Sequence, residues 1–157
     1  MSDTTELLKS AFDLGAHRLT VREYSAREMV RYLLRKKFPK EVAELAVQQL
    51  VERRWLDDDR FARAVARSQV SRSKGPGAIR MKLMQKGVAM DLSQAKALFS
   101  EASVSSELEI AREVVQKKYP RAMEDQKQRQ RAFAALIRRG FSAQIAQAAL
   151  KVSEIEP

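Results

Sequence analysis

Cysteine is absent from the sequence. That excludes disulfides, thiolate metal sites and cysteine nucleophiles together, and the usage fits a reducing cytoplasm. There is one histidine, His17. A Ser–His–Asp arrangement would have to use it, yet it stands in a stretch of helical spacing with no partner motif, so a structural or surface role is expected. Glycine and proline are scarce, five and four, and fall mostly at turns. No stretch approaches the roughly 18 consecutive apolar residues of a membrane span. The opening residues, Met1 to Glu6, are polar and acidic rather than signal-like. Strand-like alternation is missing as well. The few aromatic residues are six Phe, three Tyr and one Trp. They stand mainly at apolar helical spacing and read as core, not as stacking platforms for single strands.

What is present is helical periodicity almost throughout, and an internal repeat. Three segments share one pattern: an apolar pair, polar or basic residues, a turn residue, then an apolar residue and another amphipathic helix. They are Leu33-Leu34-Arg35-Lys36-Lys37-Phe38, Leu83-Met84-Gln85-Lys86-Gly87-Val88 and Leu136-Ile137-Arg138-Arg139-Gly140-Phe141. Phe38, Val88 and Phe141 are equivalent, 50 and then 53 residues apart. Gly87 and Gly140 suit the left-handed conformation that stops a helix, and Lys37 must do the same despite its side chain. Each unit also has a helix upstream, expected over about 5–21, 59–72 and 105–118. The fold class is therefore all-α, a tandem array of three three-helix repeats, elongated and curved. The repeats are 1–56, 57–103 and 104–157, with the Ser-rich step at Ser103–Ser106 as a joint and helix cap.

Charge is the strongest compositional signal. Thirty Lys and Arg against twenty Asp and Glu give a net +10, and the isoelectric point is near 10.1, above the value of about 9 that points to a nucleic-acid binder. The three repeats carry +3, +4 and +3. This distribution indicates a long basic surface rather than one basic tail. The candidate contact residues lie in rows at helical spacing: Arg27, Arg31 and Arg35; Arg60, Arg63 and Arg67; and Lys127, Arg131 and Arg138. Arg72, Lys74, Lys82 and Lys86 flank the central turns. Phe61, Ala64 and Val65 should form the apolar side opposite the second row, and Phe133, Leu136 and Ile137 that opposite the third.

Two other clusters read as local structure. Asp57-Asp58-Asp59 fits a helix N-terminus better than a metal or acid–base site, because adjacent residues on a starting helix point in different directions. Gly75-Pro76-Gly77 lacks both the Gly-Lys-Ser/Thr ending and the GxGxxG spacing of a phosphate loop, and reads as a turn before a helix. No catalytic residue, cofactor or metal is expected.

The stretch Trp55-Leu56-Asp57-Asp58-Asp59-Arg60-Phe61-Ala62 resembles the Tyr-Leu-Asp-Asp-x-x-Phe-Ala motif of the RecX family, bacterial regulators of the RecA recombinase. The likeness continues through Gly75-Pro76, Ile79, Leu83 and Lys86-Gly87-Val88, the Ser25-Ala26-Arg27-Glu28 segment and Arg139-Gly140-Phe141. Trp55 stands where Tyr is usual, and Lys82 where Glu often precedes the Leu. The resemblance implies tandem three-helix repeats and a non-catalytic protein, and a cytoplasmic location is expected from the cysteine usage. It also implies binding to the RecA–DNA filament, with effects on ATP hydrolysis, strand exchange and co-protease activity in DNA repair and the SOS response. Expected partners are the RecA filament and, more weakly and without sequence preference, single- and double-stranded DNA, with no membrane; a monomer is expected. A general DNA-binding helical protein is the competing reading.

Overall fold

A computed structural model of the protein describes residues 2–151. Among them there are nine α-helices and no strand: α1 (Ser2–Leu19), α2 (Ala26–Arg35), α3 (Lys40–Glu52), α4 (Asp58–Ser71), α5 (Pro76–Gln85), α6 (Leu92–Ala102), α7 (Glu107–Lys118), α8 (Gln126–Arg138) and α9 (Ala143–Ala149). The chain divides into two compact units, Met1–Ala64 with Leu83–Ala89, and Val65–Lys82 with Met90–Pro157.

Most helices begin where a short polar side chain takes over an orphan backbone donor. Ser25 Oγ accepts from the Glu28 N–H, Ser106 Oγ from Glu109 and Ser142 Oγ from Ile145. Ser106 is the cap expected in the Ser-rich joint. At α6, Asp91 and Gln94 cap each other's backbone reciprocally.

Helix ends follow one geometry. In α2, Phe38 N–H reaches back to Leu33 O and Lys37 N–H to Leu34 O; α5 repeats this with Val88 to Leu83 and Gly87 to Met84, and α8 with Phe141 to Leu136 and Gly140 to Ile137. This paired pattern is the Schellman motif. The left-handed residues are those expected from the repeat: Lys37 at φ 73°, Gly87 at 80° and Gly140 at 90°. Two further helices end the same way on residues that give no such signal, α3 on Arg54 at φ 59° and α4 on Ser73 at φ 57°.

In the first unit the core is built from Ala11 of α1, Met29 and Leu33 of α2, Val42, Ala46 and Leu50 of α3, with Tyr24 and Leu56 from the connections. In the second unit Ile110, Val114 and Val115 of α7, Ala132 and Leu136 of α8, and Phe141, Ala146 and Leu150 are buried. The apolar face of α4 is rotated from the expected one. Phe61, Ala62, Ala66 and Gln69 are buried, whereas Ala64 and Val65 are only half-buried. The buried spacing i, i+1, i+5, i+8 keeps one helical stripe, turned about the helix axis so that Ala62, Ala66 and Gln69 face inward with Phe61. On α8 the buried residues are Ala132, Ala135 and Leu136; Phe133 is half-buried and Ile137 exposed.

Candidate nucleic-acid and protein-binding faces

The polar motifs that carry the family resemblance hold the fold. Glu28 is almost fully buried on α2, where Arg22 grips both carboxylate oxygens, each at 3.0 Å, and Lys86 Nζ approaches at 2.9 Å. Burial pushes its carboxyl up, but the hydrogen bonds from Arg22 and Lys86 outweigh that and hold it below the ordinary range. Ser25, fully buried, caps α2 and also donates from Oγ to Lys86 O at 2.6 Å. The Ser-x-x-Glu segment thus fastens the turn after α5 onto the start of α2, inside the first unit.

Asp57 and Asp58 each cap a different helix. Asp57 Oδ1 accepts from Asp59 N–H at 2.8 Å and Arg60 N–H at 3.2 Å. The Arg60 N–H is the leading reason that its carboxyl titrates below the usual value. Asp58 Oδ1 instead accepts from Ala26 N–H at 2.8 Å, the first residue of α2. Leu56 and Phe61 are buried on either side. Among the described residues no cluster of acidic or histidine side chains has the geometry to hold a metal ion.

The Gly-Pro-Gly turn is a docking point in the second unit. Gly75 N–H donates to Arg139 O at 2.8 Å and Gly77 N–H to Gly140 O at 2.9 Å. A Cβ on Gly140 would come within 2.2 Å of Ala78 N, so backbone meets backbone there. Arg139 adds its guanidinium, donating to Arg72 O at 3.0 Å at the end of α4. Each Schellman turn of α5 and α8 therefore docks on the N-terminus of the preceding repeat's second helix, Lys86–Gly87 on α2 and Arg139–Gly140 on α5. Nothing in the local sequence marks this, because the partners lie some sixty residues apart.

Against this frame the candidate cations separate into two groups. Lys86 is paired with Glu28. Arg60 is paired with Glu23 at 2.8 Å and donates to the carbonyls of Arg54 and Trp55, so both help hold the first unit. Arg31 is exposed, with one guanidinium nitrogen on Gln85 O at 3.2 Å. The other exposed candidates are Arg27 and Arg35 on α2, Arg63 and Arg67 on α4, Lys82 on α5, Lys127, Arg131 and Arg138 on α8, and Arg72; Lys74 is half-buried. Among the described residues none of these ten has a carboxylate within ion-pair distance. The row on α4 thus reduces to Arg63 and Arg67.

One aromatic departs from the expectation of a core role. Trp55 is 48% exposed, because Leu56 rather than Trp55 turns inward after the left-handed Arg54. Its ring lies 5.5 Å from Phe12, with the Arg53 guanidinium 5.4 Å from its centroid.

Three family models match the chain in order, described as RecX first, second and third three-helix domains, over residues 11–50, 57–95 and 105–150. The chain belongs to the RecX family. The protein named "Regulatory protein RecX" of Xanthomonas axonopodis pv. citri (strain 306) is 33% identical over 135 residues, covering 85% of this chain and 81% of its own. That of Haemophilus influenzae (strain PittEE) is 31% identical over 137 residues, covering 83% and 86%. The crystal structure of RecX from Lactobacillus salivarius matches with a TM-score of 0.78 at 17% identity, covering 93% of this chain and 96% of that one, a likeness of fold. The RecX motifs that drew attention in the sequence supply, in this structure, caps and docking contacts, and most of the unpaired cations lie outside them, Arg27 of the Ser25–Glu28 segment excepted.

Proposed function

We propose that the chain is a non-catalytic regulator of the RecA recombinase, mainly an inhibitor. In this reading it binds the RecA–DNA filament through repeats 1–56, 57–103 and 104–157, and touches single- and double-stranded DNA without reading sequence. The observation that carries the reading is the set of exposed Arg and Lys side chains on α2, α4, α5 and α8 that, among the described residues, have no carboxylate within ion-pair distance, on a chain whose relatives bear the name regulatory protein RecX. Unpaired guanidinium groups suit phosphates and acidic protein surfaces alike. The acids that a hydrolytic enzyme would need are engaged otherwise: Asp57 and Asp58 as caps, Glu28 and Glu23 in ion pairs. Control then comes from differential affinity: a protein that prefers one filament state shifts the population toward it without chemistry. In this reading the protein is a monomer, and its lack of cysteine fits a reducing cytoplasm.

The test is single-stranded-DNA-dependent ATP hydrolysis by the cognate RecA, with the protein titrated from far below one per RecA subunit. Inhibition at low ratios is the expected result. The double variant Arg63→Glu/Arg67→Glu, which leaves the structural Arg60 in place, should need roughly tenfold more protein for the same effect; undiminished inhibition would remove α4 from the binding surface. Inhibition only near DNA-saturating amounts, relieved by added DNA, would favour the general DNA-binding reading, and no effect at any ratio would overturn the assigned partner.

A further inference from the structure

The exposed indole of Trp55 opens onto a groove that takes no part in the helix caps and docking contacts described above. The groove lies in the first unit, between the end of α1 and the turn after α3, with a volume of ≈ 560 Å³. That is within the range of about 300–1,000 Å³ typical of small-molecule sites. His17, Leu19, Arg54, Trp55 and Arg60 line it, and among the described residues no carboxylate does. Arg60, already held by Glu23 and two carbonyls, forms a fixed wall. Arg54 and His17 are exposed, and among the described residues neither side chain has a hydrogen-bond or ion-pair partner. The lining is therefore a flat aromatic surface beside an unengaged guanidinium and an imidazole.

We propose that this groove is a nucleotide subsite: it takes one nucleotide of a single strand, with the base against Trp55 and the phosphate at Arg54 and His17. The inference rests on the nucleic-acid contact proposed above and specifies its chemistry. Every base presents a π-face, so stacking on an indole needs no sequence. A guanidinium supplies the planar donor pair that phosphate oxygens accept. An acidic peptide would engage the cations but has no intrinsic use for the indole. The Phe12 and Arg53 contacts fix the ring before any ligand arrives, which lowers the ordering cost of binding. The left-handed Arg54 that ends α3 is held by the Arg54 N–H to Val51 O and Trp55 N–H to Leu50 O bonds, at 2.9 and 3.0 Å. That turn brings the guanidinium and indole to the same groove.

Trp55 is the only tryptophan, so its emission reports on the groove directly. The full-length protein is titrated with an oligo-dT strand, with a base-free strand of equal length, and with free dTMP. Binding is followed in parallel by anisotropy of labelled strands. Oligo-dT should quench the indole, whereas the base-free strand should bind without quenching and dTMP should quench only at far higher concentration. Arg54→Ala keeps the reporter and should weaken the quenching titration several-fold. Trp55→Ala should weaken oligo-dT binding by roughly tenfold or more, with Trp55→Tyr restoring most of it. Oligo-dT that binds with the emission unchanged overturns the subsite and leaves DNA binding standing. Failure of both strands to bind overturns the subsite and the DNA contact beneath it. Quenching by dTMP at strand-like concentration overturns the assignment to a strand in favour of a free nucleotide.

Discussion

At Gly140 two demands meet on one residue. Its φ of 90° lies in the left-handed region, where an L side chain costs about 1–2 kcal/mol, and its missing Cβ is the space Ala78 occupies. Gly87 faces the same pair of demands, with the Arg27 side chain in the place of its Cβ. Lys37 has the same dihedral and stands in the same repeat position, but no earlier repeat docks on its turn, and it is exposed. That is why the first repeat tolerates a lysine where the other two carry glycine. Gly140→Ala should therefore lower stability by about 2–4 kcal/mol, the dihedral cost plus overpacking. Lys37→Gly should raise it by about 0.5 kcal/mol, strain relief offset by backbone entropy. Urea unfolding of both variants checks the pair; a Gly140→Ala loss no larger than about 1 kcal/mol would mean that the docking contact is not tight. The helix stops were legible in the sequence because glycine followed by an apolar residue is a local signal. The docking demand was not, because it depends on Ala78, and the left-handed Arg54 and Ser73 were not, because neither residue type announces it.

At the scale of elements, the Leu-Asp-Asp motif joins two helices that are far apart in the chain. The sequence reading of a cap holds for Asp57 at α4, and the divergence of adjacent side chains on a starting helix explains why Asp58 reaches elsewhere. Its target, the Ala26 N–H of α2, is invisible to spacing. Asp57→Ala and Asp58→Ala should each cost about 1 kcal/mol but in different places: the first should speed amide exchange at Asp59 and Arg60, the second at Ala26. Unchanged protection at Ala26 in Asp58→Ala would show that the cap between the two helices does not form. Helix ranges followed readily from the periodicity, whereas the faces did so less well. Ile137, an apolar residue at helical spacing, ended up exposed, and Trp55 became a groove wall, because the neighbours that decide which apolar side chain turns inward belong to other helices.

For the whole molecule, the net charge of +10 states how much basic charge there is, not how much of it is available. Arg22, Arg60 and Lys86 carry three of the thirty positive side chains and are tied to Glu28 and Glu23. Rows at helical spacing could place Arg60 beside Arg63 and Arg67, but only the fold shows that Glu23 claims it. This division predicts how DNA binding responds to salt. Each single-strand phosphate neutralised by an available cation contributes about 0.7 to the slope of log K against log salt, because binding releases a condensed counterion. Arg63→Gln/Arg67→Gln should therefore flatten the slope by up to about 1.4. Lys86→Gln should leave the slope nearly unchanged while lowering folding stability, since its ammonium already neutralises Glu28 and contributes little net field at the surface. The slopes can be measured by anisotropy with a labelled single strand across a salt series. An equal flattening by Lys86→Gln would mean that the Glu28 pair opens when DNA binds, and the division between structural and available cations would then have to be redrawn.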